Sequence, residues 1–150
     1  LESLKQKVLN YYKQQTEDRI DAFRDMIAAL TEDAANDAKG SAGDKHETAL
    51  SMMHLEQEKL NHKMGEFIAH KSILDKINPE AITAKVAVGS LVKANNMHLF
   101  VSAALPKITI EGITVIALSP QSPLGTKLMG METGGEFEIS GTKYIIEKIV

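Results

Sequence analysis

The chain contains no cysteine and no tryptophan. Without thiols it can build no disulfide scaffold, no thiolate zinc site and no cysteine nucleophile. It has no stretch near the ~18 consecutive apolar residues that a membrane-spanning helix needs. Neither sign of charge dominates: 17 basic residues face 20 acidic ones, a net −3 that argues against general binding to nucleic acid. Residues 1–16 are rich in Lys, Gln and Tyr, with no apolar core and no small-residue cleavage site. They do not read as a signal peptide, and the expected compartment is the cytoplasm. Gly-x-Ser-x-Gly is missing, and so is any glycine-rich phosphate loop behind a strand. What is present is ordinary for a globular protein: 150 residues, 43% hydrophobic and 25% charged. That length supports one domain or two small ones. A compact chain of this size buries about 68–70% of its unfolded surface.

Proline and glycine are unevenly spread. All four prolines and seven of the ten glycines follow residue 78. Before it, Leu4, Val8, Tyr12 and Thr16 recur in steps of four, and Ile20, Phe23, Ile27, Leu30 and Ala34 continue in steps of three and four. This period predicts one long amphipathic helix. Leu50, Met53, Gln57, Leu60, Met64, Phe67, Lys71 and Leu74 then form a heptad seam with two polar members. Gly40, Ser41, Ala42 and Gly43 lie between the two patterns and predict the turn of an antiparallel helical hairpin. At 1.5 Å per residue, ~35 residues make an arm of roughly 50 Å, which must project or pack on a partner.

Asn78-Pro79 ends the second helix. Thereafter the period shortens. Strands are expected at residues 86–94 and 97–104 around an Asn95-Asn96 turn, then at 108–110 and 113–118 around Glu111-Gly112. Ser122-Pro123 and Gly130 bracket a short helix. Residues 136–139 and 142–150 complete the set. The reading is an α+β chain: a helical hairpin over residues 1–77, a linker at 78–84, and a small, mostly antiparallel β domain with one short helix at 85–150.

Five acids (Glu32, Asp33, Asp37, Asp44, Glu47) and two lysines (Lys39, Lys45) occupy the hairpin turn region, a balance of −3 that equals the charge of the whole chain. A pair such as Asp44 and Glu47 suits a hard divalent ion such as Mg²⁺, which takes oxygen ligands and shares them with phosphate partners. The same Asp44-Lys45-His46-Glu47 run also fits a capping box at a helix start. His46, His54, His62 and His70 recur every eight residues. Each step advances about 80° round a helix and ~12 Å along it, so they cannot converge on one zinc and read as surface residues. Met26, Met52, Met53 and Met64 read as filling beside the seam.

One further pattern is C-terminal. The run from Ile116 through Ser119-Pro120-Gln121-Ser122-Pro123-Leu124-Gly125 to Leu128-Met129-Gly130, with the strands at 135–139 and 144–149, resembles the bacterial GreA/GreB transcript cleavage factors. Gly43-Asp44-x-x-Glu47 is similar to that family's Gly-Asp-Leu-x-Glu-Asn tip motif. The resemblance covers the whole chain in order and length. It implies an FKBP-like β domain that docks at the rim of the RNA polymerase secondary channel, with Ser122, Pro123, Leu124 and Gly125 among the partner-binding residues. It implies a coiled coil that enters the channel. There Asp44 and Glu47 would help hold a Mg²⁺ shared with the polymerase and assist cleavage of backtracked RNA near its 3′ end. On that reading the chain is not an independent enzyme, bears on nascent RNA only indirectly, contacts no membrane and works as a monomer.

Where the family continues Asn-x-Glu-Tyr, this chain has Thr48, Ala49, Leu50 and Ser51, and Lys45 replaces the leucine. A Gre-like regulator that occupies the channel without stimulating cleavage would keep arm and dock alike. Two readings of other classes stand beside it. A prolyl isomerase needs an aromatic-lined pocket, and residues 85–150 offer only Phe100, Phe137 and Tyr144. A coiled-coil adaptor would use Gln57 and Lys71 to set register against another chain.

Overall fold

The computed structural model describes residues 1–40 and 43–150, with side chains for 1–36 and 47–150. The elements run α1 (Leu4–Gly40), α2 (Gly43–Asp75), β1 (Leu91–Ala94), β2 (Met97–Val101), β3 (Ile108–Ile110), β4 (Ile113–Leu118), α3 (Pro123–Leu128), β5 (Glu136–Ile139) and β6 (Thr142–Ile149). Two long helices paired as a hairpin precede a six-stranded sheet with one short helix, an α+β arrangement. Two compact units emerge: Gln14–Lys71, and Leu1–Lys13 together with Ser72–Val150.

In the Gln14–Lys71 unit the expected stripes are the ones covered. Thr16, Ile20, Phe23 and Ala34 are buried, and Ile27 and Leu30 half-buried. On α2, Leu50, Met53, Gln57, Leu60, Met64, Phe67 and Lys71 are all half-buried, while their flanks are mostly exposed. Phe23 stacks on Phe67 with centroids 5.7 Å apart. The Arg19 guanidinium lies 5.4 Å from the Phe67 ring centre, a cation–π contact. Of the four methionines expected beside the seam, Met53 and Met64 are half-buried, but Met26 is 49% and Met52 66% exposed. Each stands one place before a seam residue, Ile27 and Met53, and so turns onto the flank.

The other unit holds the sheet, ordered β3-β4-β2-β1-β6-β5. Four of its five pairings are antiparallel, and β2 with β4 is parallel. Both faces are covered, which is why β1, β2 and β4 carry long apolar runs. Leu91, Phe100, Val115 and Ala117 face one core, closed by Val8, Leu9 and Tyr12 of α1 and by Leu74 and Ile77. Val92, Ala94, Leu99, Val101 and Leu118 face the other, closed by Leu128, Phe137 and Ile146. Tyr12 is fully buried, stacks on Phe100 at 6.1 Å and donates its hydroxyl to the Pro106 carbonyl at 2.7 Å. Burial pushes its phenol up to about 12.

The first two strands are shorter than expected. β1 begins at Leu91 because residues 87–90 turn: Ser90 N–H donates to the Ala87 carbonyl at 3.0 Å, and Gly89 takes a φ of 96°. A Cβ on Gly89 would also stand 3.0 Å from Ile77. The turns at Glu111-Gly112 and Ser140-Gly141 each place two residues at positive φ, the type I′ pattern that matches strand twist.

Candidate functional site

Three places in the molecule bear on function: the hairpin turn, α3, and a groove on the sheet unit. At the turn, α2 starts at Gly43, so Asp44 and Glu47 both stand inside its first turns rather than before it. Positions three apart share one helix face. Glu47 is exposed, as are Glu32 and Asp33 at the end of α1. The side chains of Asp37, Lys39, Asp44, Lys45 and His46 lie outside the described residues, and with them the capping-box reading. No group of three metal-ligating side chains forms among the described residues. The chemistry of the donor set still fits Mg²⁺: carboxylate oxygens such as those of the exposed Glu47 can complete a coordination sphere begun elsewhere.

Away from the turn, the polar seam members are satisfied within the hairpin. Gln57 Nε2 donates to Thr31 Oγ1 at 2.8 Å, and Lys71 lies 3.6 Å from the Glu17 carboxylate. The seam is thus closed by the chain's own first helix. His54 and His62 are exposed, and His62 lies 3.5 Å from Glu66. His70 departs from the expected surface role: it is half-buried with its ring edge-on to Phe67 at 6.0 Å.

The α3 segment is built as its residues dictate. Ser122, in an extended conformation, caps the helix by accepting from the Gly125 N–H at 3.0 Å, and its hydroxyl donates to the Ser119 carbonyl at 2.6 Å. Pro123 fills the first helical position, where no N–H is needed. Gly125 is buried against residues 119–120, where a Cβ would overlap the Ser119 carbonyl and stand 2.8 Å from Pro120 Cα. Leu124 packs at the edge of the second core. All four residues expected to bind a partner therefore carry structural work, and Pro123 is the exposed one among them. The aromatics that an isomerase pocket would need are committed elsewhere. Phe100 is fully buried under Tyr12, and Phe137 stacks on Tyr144 at 5.5 Å.

Sequence reasoning missed the groove of about 640 Å³ lined by α1's first turn, residues 79–82 and the sheet. It gathers Lys5, Lys93, His98 and Lys148 beside Leu4, Leu91 and Ile82. Lys93, His98 and Lys148 are scattered through apolar strands, and Lys5 lies on α1. Strand register and the packing of α1's first turn unite them, and nothing in local spacing announces it.

No helix among the described residues is long and apolar enough to cross a membrane. The chain matches no family model and no curated protein.

Proposed function

We propose that the chain is a Gre-type transcription elongation factor. It binds RNA polymerase and presents the carboxylates of its hairpin turn to the polymerase's Mg²⁺ site, assisting cleavage of backtracked RNA. The observation that carries this reading is the acidic turn on a self-paired hairpin. Glu32, Asp33 and Glu47 are exposed around a turn whose helices satisfy their own seam. The stretch of α1 from Gln14 to Gly40 alone covers ~40 Å at 1.5 Å per residue, a reach suited to a recessed site. Asp44 and Glu47 would offer oxygen ligands, and the Mg²⁺ they help hold supplies activation of the attacking water. The β unit would dock at the channel rim with an FKBP-like fold. The protein acts in the cytoplasm and has no independent enzyme activity.

A second reading rests on the residues after the acidic pair. Thr48 and Ser51 are exposed and carry no carboxylate, and Leu50 belongs to the seam. The chain would then occupy the channel without promoting cleavage. One experiment separates the two. A backtracked elongation complex with 5′-labelled RNA is incubated with Mg²⁺ and the protein, its Asp44→Ala variant or its Glu47→Ala variant, and is then chased with nucleoside triphosphates. Shortening by the wild type that both variants lose supports cleavage assistance. Slowed elongation without shortening supports the second reading. Shortening that survives both substitutions refutes the assignment to Asp44 and Glu47, and absence of binding refutes both readings.

A further inference from the structure

The groove on the sheet unit has features that the fold itself does not need. Strand register places Lys148 of β6 directly opposite Lys93 of β1, and Lys93 directly opposite His98 of β2. Directly opposed residues share a sheet face, so the three form a row across three adjacent strands. Like charges in that relation destabilise a sheet by some tenths of a kcal/mol. Glu147, beside a register shift in β6, answers Lys93 at 3.5 Å. Among the described residues Lys148 has no ion-pair partner. A third cation, beside Lys93 and Lys148, comes from the opposite wall: Lys5 of α1 is 4% exposed, and its Nζ donates to the Ala81 carbonyl at 2.7 Å. One such bond leaves two of its three donors to be used. His98 contributes a buried Nδ1 that finds no hydrogen-bond partner among the described residues. Glu80 is the one carboxylate side chain on the lining, against the ammonium groups of Lys5, Lys93 and Lys148. Between them Leu4, Ile82, Leu91 and Pro79 supply an apolar wall. Its size falls in the ~300–1,000 Å³ range of small-molecule sites, which are mostly apolar with a few convergent polar groups.

We infer that this groove binds a small organic anion with an aliphatic body, its charged head on Lys148, Lys5 and His98 and its body against Leu4, Ile82 and Leu91. A carboxylate and a phosphate monoester share that chemistry. The inference is independent of the polymerase reading, and its test uses no polymerase.

Hexanoate, hexyl phosphate, hexanol and inorganic phosphate are titrated separately into the purified protein by calorimetry. The His98 imidazole is followed in parallel by NMR. At least one hexyl anion is expected to bind and to move the His98 signals. Hexanol and inorganic phosphate should bind at least about tenfold more weakly, since each lacks one half of the recognition. Lys148→Gln should weaken the anion about tenfold or more, the usual loss of a hydrogen bond to a charged group. Lys127→Gln, on α3 outside the groove, should not. The tighter of the two anions identifies the head group. Failure of both anions to bind at millimolar concentration would overturn the inference. So would equal binding of hexanol or inorganic phosphate, or equal weakening by Lys127→Gln.

Discussion

Gly125→Ala and Gly65→Ala make the same chemical change with opposite expected results. At Gly125 the added methyl would overlap the Ser119 carbonyl oxygen and stand 2.8 Å and 2.9 Å from two backbone atoms of Pro120. Backbone cannot rotate aside as a side chain can, so α3 must move away from residues 119–120. Overpacking of this kind costs about 1–3 kcal/mol. The displacement also loosens the Ser122 cap on Gly125 N–H and the Ser122 bond to Ser119, at 3.0 Å and 2.6 Å. A lost cap adds about 1 kcal/mol. The expected loss is therefore about 2–4 kcal/mol, a fall of about 1–2 M in the urea midpoint at a slope near 2 kcal/mol/M. Gly65 lies inside α2, where an added methyl would meet nothing within 4 Å. There alanine removes the backbone-entropy penalty of a helical glycine and should stabilise by about 0.5–1 kcal/mol. Urea unfolding followed by circular dichroism measures both. A Gly125→Ala midpoint within error of wild type would refute the packing argument for α3, and a lowered Gly65→Ala midpoint would refute the helical one.

Three further outcomes are expected. Tyr12→Phe keeps the stack on Phe100 but removes the hydroxyl from the Pro106 carbonyl, and should cost about 1 kcal/mol in urea unfolding; Tyr12→Ala, which also empties the core, should cost about 3–5 kcal/mol. Burial, then Lys93, holds His98 below its ordinary 6.5, with Glu147 opposing. The unfolded chain thus binds the proton more readily, so the His98 contribution is fully present above 6.5 and lost as pH falls below it. Between pH 8 and pH 5 the wild-type urea midpoint should fall further than that of His98→Gln, and parallel declines would contradict this. Gln57→Leu replaces a half-buried seam amide, and Thr31 keeps its bond to the Ile27 carbonyl at 3.1 Å, so no orphan is left. A midpoint raised by up to about 1 kcal/mol in stability is expected, and a lowered one would show that the Gln57–Thr31 bond outweighs apolar burial.

Much of this architecture is determined by residue pattern alone. The three- and four-residue steps of Ile20 through Ala34 and Leu50 through Phe67 specify which helix faces meet, because a helix returns to the same side every 3.6 residues. Ser122-Pro123 specifies the start of α3, and Glu111-Gly112 and Gly141 specify turns, because capping and positive φ are local demands. The strand lengths were less legible: residues 86–90 are as apolar as a strand, yet Gly89 turns them under Ile77, a contact 12 residues away. Parallel pairing of β2 with β4 was also not a local property, since it depends on β3 returning the chain to the far side. The acidic turn could be read from the sequence because its charges are neighbours along the chain. Lys5, Lys93, His98 and Lys148 could not, because only the register of three strands and the packing of α1's first turn bring them to one groove.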